Sequence, residues 1–344
     1  MTRWAVQEYS RTQVKRAGEL IGGRGGSDEE VKAARAKISN FRSAHGYPLL
    51  SVTMHVRDKA AAVSSDVVVA RRLKRLPTIL DKLERQPTMN VTTMQDLGGC
   101  RVVLSSVTDV YELLSALEAA NPQSRIVRKK DYIAEPQTTG YRGVHLIYSY
   151  GASKTEYHGL KVEVQIRTEL QHAWATSVET MDLFSGSRLK YNEGDPMLRR
   201  YFVVVAALMT HHESTAAVPS AEAAREELRE ELAELEGRLG ITELLSGYAA
   251  IVGGMPTSDR RSTIVLKLWR DTRQLGVSVF ETQADAEEHL ATVEALNDEN
   301  IDAVLISISK VGQLQSAYPN YFANTTAFVD FVSSQLDMSH VAHT

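Results

Sequence analysis

In the stretch KVEVQIR, Val162, Val164 and Ile166 alternate with Glu163, Gln165 and Arg167, the period of a strand with one buried face. The other face carries an acid, an amide and a guanidinium side by side, either as a solvated surface or as a site. Period-two and apolar runs predict further strands at CRVVLS (100–105), IVRKKDYIA (126–134) and GVHLIYSY (143–150). Helical spacing predicts helices over 28–44, over VTDVYELLSALEAA (107–120), and again from Thr168, whose hydroxyl forms a capping box with Gln171. A helix is also expected from Ser65 through VVVARRLKRL, with Pro77 opening a new first turn for TILDKLER. GELIGGRGGSDEE (18–30) reads as a loop.

An apolar helix follows at 198–214. After Pro219, Leu228, Leu232, Leu235 and Leu239 recur at 4, 3 and 4 residues among Glu and Arg, the stripe of an amphipathic helix on another surface. SGYAAIVGGMPTSDRR (246–261) reads as a linker. Beyond it, STIVLKLW, VSVFET and DAVLISIS are predicted strands, and ADAEEHLATVEAL and TAFVDFVSSQL are predicted helices, the first starting at Thr282 with Asp285 in its first turn. The expected fold is α/β (α+β): a mixed β-sheet flanked by helices, plus a small separate C-terminal α+β domain. The expected partition is 1–215, an acidic helix and linker over 216–257, and 258–344.

Composition changes this picture in two ways. Residues 1–200 hold 30 Lys or Arg against 22 Asp or Glu, while residues 201–344 hold 9 against 21. The basic part suits a nucleotide or RNA; the acidic part repels one and is suited to lie against the basic part. Cys100 is the only cysteine of the 344 residues, which excludes an intrachain disulfide. With no apolar run of about eighteen residues and no apolar signal-like segment in MTRWAVQEYSR, the expected setting is the cytoplasm, without a membrane partner.

Four segments carry groups suited to chemistry. Arg71, Arg72, Lys74, Arg75 and Lys82 crowd around Thr78; on one helix, Lys74, Thr78 and Lys82 share a face. Such cations suit a polyphosphate, and guanidinium planes stack on purines; a plain basic face is the alternative. Asp96, before Gly98 and Gly99 at a strand entrance, suits a magnesium position or a solvated turn. Arg101 follows, placed to cover the far side of a base held by Arg72. Tyr141 and His145, with Lys129, Lys130 and Arg142, suit a stacked base and its phosphates, or a tyrosine plugging the sheet edge. Glu163 completes a carboxylate pair with Asp96, able to hold the magnesium that accompanies ATP. Cys100 has no neighbouring base and reads as core. The glycines at 18–26 are not followed by Gly-Lys-Ser/Thr and do not form a phosphate loop.

RLKRLPTILDK, DLGGCRVV, KDYIAEPQTTGYRGVH and VEVQIRTELQHAWA, in this order over residues 50–200, resemble the synthetase domain of the RelA/SpoT family. The resemblance implies a nucleotidyltransferase-like fold and transfer of the β,γ-pyrophosphate of ATP to a ribose 3'-hydroxyl, with Mg2+. It implies that Arg72 and Arg101 sandwich adenine, that Lys74, Thr78 and Lys82 belong to the ATP site, and that Asp96 and Glu163 are the catalytic and metal-binding acids. Tyr141 would stack on the acceptor base, Lys130, Arg142 and His145 would assist, and Gln165 and Arg167 would order the pocket.

Three positions depart from the pattern: Gln137 stands for lysine, Gly143 for serine, and Glu179 precedes Thr180 where many relatives have Glu-His. No His-Asp pair occurs, so the hydrolase half of the bifunctional relatives is not expected. The missing lysine weakens the expected hold on 5' phosphates. With the basic N-terminal part, it favours the 3'-CCA end of tRNA as acceptor and a toxin's role, the alternatives being GDP or GTP, or silent nucleic-acid binding. An antitoxin or regulatory protein, or restraint by residues 216–344, is the expected control.

Overall fold

Val67, Val68 and Val69 stand where a helix was expected, and the chain is instead extended: β1 spans Val68–Leu73. β-branched side chains fit a pleated surface, and Val69 pairs with Val102 and Arg72 with Gly99 across an antiparallel ladder to β2 (Gly98–Leu104). The computed structural model describes residues 4–23, 25–120, 123–185, 194–252, 262–269, 274–296, 298, 301–308 and 325–341.

Ahead of β1 lie α1 (Arg11–Gly22), α2 (Asp28–Ser43) and α3 (Gly46–Val63). The first corrects the loop expected from residue 18, because Gly18 and Gly22 are helical and let Val91, Leu83 and Pro87 approach the backbone closely. α3 has no counterpart in the sequence reading. α4 (Leu76–Arg85) follows β1, with Pro77 in its first turn; Lys74 precedes this helix and so does not share a helical face with Thr78 and Lys82.

The central elements form as expected: α5 (Val107–Ala119), β3 (Arg125–Asp131), β4 (Val144–Ser149), β5 (Lys161–Thr168) and α6 (Glu169–Ser185). The Thr168 hydroxyl accepts from the Gln171 amide at 3.1 Å, and Gln171 Oε1 accepts from the Thr168 amide at 3.3 Å, closing the capping box. Then come α7 (Pro196–Glu213), α8 (Arg225–Leu239) and α9 (Ile241–Val252). α9 replaces the first part of the expected linker, and residues 253–261 of that stretch lie outside the described residues. β6 (Ser262–Trp269), β7 (Gln274–Phe280), α10 (Gln283–Ala295), β8 (Ile301–Ile308) and α11 (Thr326–Val341) complete the order.

The sheet runs β3-β4-β5-β2-β1-β8-β6-β7. β2 and β5 are parallel and every other pair is antiparallel, so the sheet is mixed. One face, with Val102, Val144, Leu146, Val162, Val164 and Ile166, is buried with apolar residues of α3 and α5. α6, α7, α8 and α11 pack around a second core that includes Trp174, Phe202, Leu228, Leu232 and Phe328. The leucine stripe of α8 thus faces its neighbours, and Arg200 fixes the helix through paired contacts of 2.6 and 2.7 Å to Glu231.

β6, β7, β8 and α10 form the small C-terminal α/β unit, with a core of its own that includes Val265, Leu290 and Leu305. Two features tie it to the rest of the chain. β8 lies antiparallel to β1, with Ser307 opposite Arg71, so the strands share one sheet. α11 leaves the unit altogether and places Phe328 against Phe202, ring centroids 5.6 Å apart. Phe328→Ala, which empties a fully buried position, is expected to lower stability by about 3–5 kcal/mol in chemical denaturation of the full chain.

Candidate active site

The polar face of the sheet is assembled by register. Across β2 and β5, Gly99 stands opposite Glu163 and Arg101 opposite Gln165; across β4 and β5, His145 also stands opposite Gln165. On the far side of β2, Arg72 lies opposite Gly99. Cross-strand partners share a face, so Arg72, Arg101, Glu163, Gln165, Arg167 and His145 all rise from the same side. Gly99 contributes no side chain and leaves space between Arg72 and Glu163.

Five of these and neighbouring groups close a hydrogen-bonded ring. His145 Nδ1 contacts Glu163 Oε1 at 2.9 Å, and Gln165 Nε2 donates to Glu163 Oε2 at 2.8 Å. Arg167 Nη2 donates to Gln165 Oε1 at 3.0 Å and also to the Tyr141 hydroxyl, which meets His145 Nε2. A neutral His145 protonated on Nδ1 satisfies every link, with protons directed from Arg167 along two branches onto the carboxylate. Burial pushes the Glu163 pKa up, but the His145 and Gln165 hydrogen bonds outweigh burial and nearby Asp96 and hold it below its ordinary value. Tyr141 is pushed up by burial, against the pull of Arg167, and so stays a phenol. Its ring lies 4.9 Å from the Arg167 guanidinium and edge-on to Tyr132.

Asp96, just before β2, meets Lys74 Nζ at 2.7 Å and Lys82 Nζ at 3.8 Å. Burial raises its pKa, and the two lysines more than reverse that. Asp96 and Glu163 line both of two adjoining cavities. The smaller, about 200 Å³, is lined also by Arg72, Lys74 and Arg101. The larger, about 350 Å³, has Tyr132, Gln137, Tyr141, His145 and Trp174 in its wall, closed by α7 through Arg199, Phe202 and Val203. Glu179 lines both.

Not every expected residue arrives there. Arg142 is fully buried, its Nη1 3.4 Å from Thr215 Oγ1 and 3.9 Å from Glu213; burial draws its pKa down to about 10. It ties the loop before β4 to the end of α7 and lines neither cavity. Lys130 sits opposite His145 on edge strand β3 but is exposed and outside both walls. Thr78 and Lys82 on α4 also line neither, although Lys82 stands close to the site through its 3.8 Å contact with Asp96. Two glycines allow the loop's close approach: at Gly140 (φ +88°) a Cβ would lie 2.4 Å from that of Ala206, and at Gly143 (φ +145°) one would lie 2.9 Å from Arg167 Cγ. A serine at position 143 would meet both obstacles, the backbone and the arginine.

Tyr132, Trp174, Arg199, Phe202 and Val203 escaped the sequence reading as wall residues. Tyr132 and Trp174 lay inside the quoted motifs; nothing in the apolar pattern of α7 separates its cavity-facing positions from its core.

Paired acids and convergent cations on one face of a mixed sheet define an α/β protein with a phosphate-compatible site. The region found in RelA / SpoT proteins matches residues 71–183, the part of the chain that holds β1 to α6 and both acids. Over 124 residues it is 35% identical to the GTP pyrophosphokinase YjbM of Bacillus subtilis, covering 35% of this chain and 58% of that protein. With the GTP pyrophosphokinase YwaC of the same organism it shares 35% over 114 residues, 30% of this chain and 52% of the relative. The chain thus spans little more than half the length of these curated relatives. The crystal structure of small alarmone synthetase 1 from Bacillus subtilis bound to pppGpp matches with a TM-score of 0.42 and 22% identity, over 57% of this chain and 94% of that one.

No helix among the described residues is long and apolar enough to cross a membrane. Both acids titrate below their ordinary values of 3.8 and 4.5 in the folded chain, so the folded state binds fewer protons than the unfolded one as pH falls. Their contribution to stability is expected to be complete above those values and to disappear as pH drops through the lower folded ones. Denaturation midpoints followed from pH 7 to pH 3 with a chelator present, about the span needed, check this. Glu163→Gln should flatten the acid limb.

Proposed function

We propose that the chain transfers the β,γ-pyrophosphate of ATP to the ribose 3'-hydroxyl of a guanosine nucleotide. One observation carries this reading: the two cavities meet at Asp96 and Glu163, one lined by cations and the other by aromatic rings. A donor triphosphate in the first and a nucleoside in the second bring a hydroxyl and a phosphorus together at the acids.

The smaller cavity is assigned to ATP. Arg72 and Arg101 rise from adjacent strands and clasp adenine, while Lys74 and Lys82 take phosphate charge and are drawn from Asp96 as the nucleotide enters. In the larger cavity Tyr141 and Tyr132 offer ring faces and edges to the acceptor base. The acceptor O3' attacks the β-phosphorus, the bond from that phosphorus to the α-phosphate oxygen breaks, and AMP leaves. Glu163 accepts the hydroxyl proton, held in place by His145 and Gln165. Such transfers depend on charge neutralisation and alignment rather than a covalent intermediate.

Magnesium fits the donor set present. Among the described residues no cluster of three or more His, Cys, Asp or Glu is placed to hold a metal by itself. Magnesium commonly takes one or two carboxylates and completes its shell from phosphates and water; Asp96 and Glu163 are the two available here. The ion supplies charge neutralisation on the transferred group.

The relatives named above are GTP pyrophosphokinases, which favours a guanosine nucleotide over the tRNA end expected from Gln137. Gln137 does line the larger cavity without charge, but Arg199 from α7 lines it too and brings a cation.

Incubation with ATP, magnesium and GDP, GTP or uncharged tRNA tests the assignment. AMP release with a 3'-pyrophosphorylated guanosine product is expected. Label confined to tRNA would move the acceptor, and no AMP with any acceptor would overturn the reading. Glu163→Gln is expected to lower kcat by about 100-fold or more while ATP still binds.

A further inference from the structure

Glu294 lies on α10, in the small C-terminal unit and outside both cavities, yet its carboxylate reaches the junction that carries Lys74. Its Oε1 stands 3.5 Å from the backbone amide of Leu76, the first residue of α4, and its Oε2 lies 3.3 Å from Arg42 Nη1. Arg42 Nε donates in turn to the Lys74 carbonyl at 2.6 Å. On its other side, the Lys74 amide donates to the Leu97 carbonyl at 2.8 Å. The backbone of Lys74 is therefore gripped from both ends, one grip running through Arg42 to Glu294. The Arg42 and Glu294 side chains are almost sealed from water, at 4% and 7% exposure.

Helix α4 explains why an acid belongs there. Its N-cap residue, Arg75, makes no capping hydrogen bond with its side chain. An uncapped N-terminus leaves amides unpaired and favours a nearby negative charge; Glu294 supplies one from more than two hundred residues away in the chain. At the same place β8 lies against β1, with Ser307 opposite Arg71. The C-terminal unit thus touches the strand bearing Arg72 and the helix bearing Lys82, and reaches the backbone of Lys74 through Arg42. A pair that only glued two layers together would not need to converge on this turn.

We propose that Glu294 is a positioning residue for the donor site: through Arg42 and the first turn of α4, it sets where Lys74 and Lys82 stand, so that the C-terminal unit governs how tightly a nucleoside triphosphate is held. This rests on the assignment of the smaller cavity to ATP. Any displacement of α10 would be transmitted to the phosphate-binding lysines without a contact between the unit and the nucleotide.

The test uses the full chain with Glu294→Ala, Glu294→Gln and Arg42→Lys. Magnesium–ATP binding is measured by calorimetry, KM for each substrate and kcat by AMP release, and amide exchange over residues 74–80 by mass spectrometry. Glu294→Ala is expected to weaken ATP binding and raise its KM about tenfold, the scale of a lost hydrogen bond to a charge. Its kcat and acceptor KM should stay within about threefold of the parent, and exchange over 74–80 should quicken. Glu294→Gln, which still offers an oxygen to the Leu76 amide, should retain part of the affinity. Arg42→Lys, which loses the Nε donor to the Lys74 carbonyl, should show the same selective loss. Should the alanine variant fail to fold, the other two decide. Unchanged ATP affinity in variants that fold overturns the positioning role and leaves the donor assignment standing. A uniform fall in kcat and both substrate affinities, in step with melting temperature, overturns it in favour of a purely structural pair. A parent chain that binds no ATP overturns both.

Discussion

A carboxylate kept charged and aimed inside a mostly covered site is the condition on which the rest depends. Glu163 meets it because both of its oxygens are engaged, one by His145 and one by Gln165, and because both branches lead back to Arg167. Each hydrogen bond to a charge is worth about 1.5–3 kcal/mol, enough together to offset the desolvation that would otherwise protonate the acid. The ring also spends the hydrogen-bonding capacity of Tyr141 on orientation, leaving its face for packing. Two strands, β4 and β5, and the loop before β4 supply the ring's members, and the registry of the strands is fixed by the apolar residues on the reverse side. A one-residue slip of β5 would turn Glu163 into the core and a valine into the site.

The second acid is handled differently. Asp96 sits at a strand entrance, where its neighbours are two ammonium groups rather than a fixed network. Lysine ammoniums on flexible stems can exchange one anionic partner for another, whereas the amide and imidazole around Glu163 are locked by their own partners. The arrangement has one rigid acid and one whose partners can be recruited away. A polyphosphate entering among the cations would therefore change the surroundings of Asp96 first.

Much of this was legible in the chain. The alternation in KVEVQIR predicted both the buried face and the polar triplet, because a strand's period leaves little freedom about where side chains point. Thr168 and Gln171, and Thr282 and Asp285, marked helix starts that formed. What misled was competition between local and distant preferences. VVVARRLKRL carries a basic pattern compatible with a helix, but pairing with β2 settled it as a strand. α3 went unread although Leu49, Val52, Val56 and Ala60 are buried at helical spacing; Gly46 and Pro48 at its start disguised it. Arg142 looked like a phosphate ligand from its neighbours in sequence, and only the distant Glu213 shows it turned inward. Wall residues on α7 were invisible for a related reason: an apolar helix does not announce which of its faces is core and which borders a cavity.

α11 has a consequence for the order in which the molecule can be completed. Its Phe328 backs Phe202, itself part of the aromatic cavity's wall. During synthesis strands β1 to β5, both acids and their hydrogen-bonding partners emerge from the ribosome long before residue 328 does. Domains generally fold as units as they emerge, yet this wall lacks its support until α11 is released. The order of translation thereby delays a finished aromatic cavity, so that a nascent chain halted before α11 carries both acids without the complete enclosure beside them.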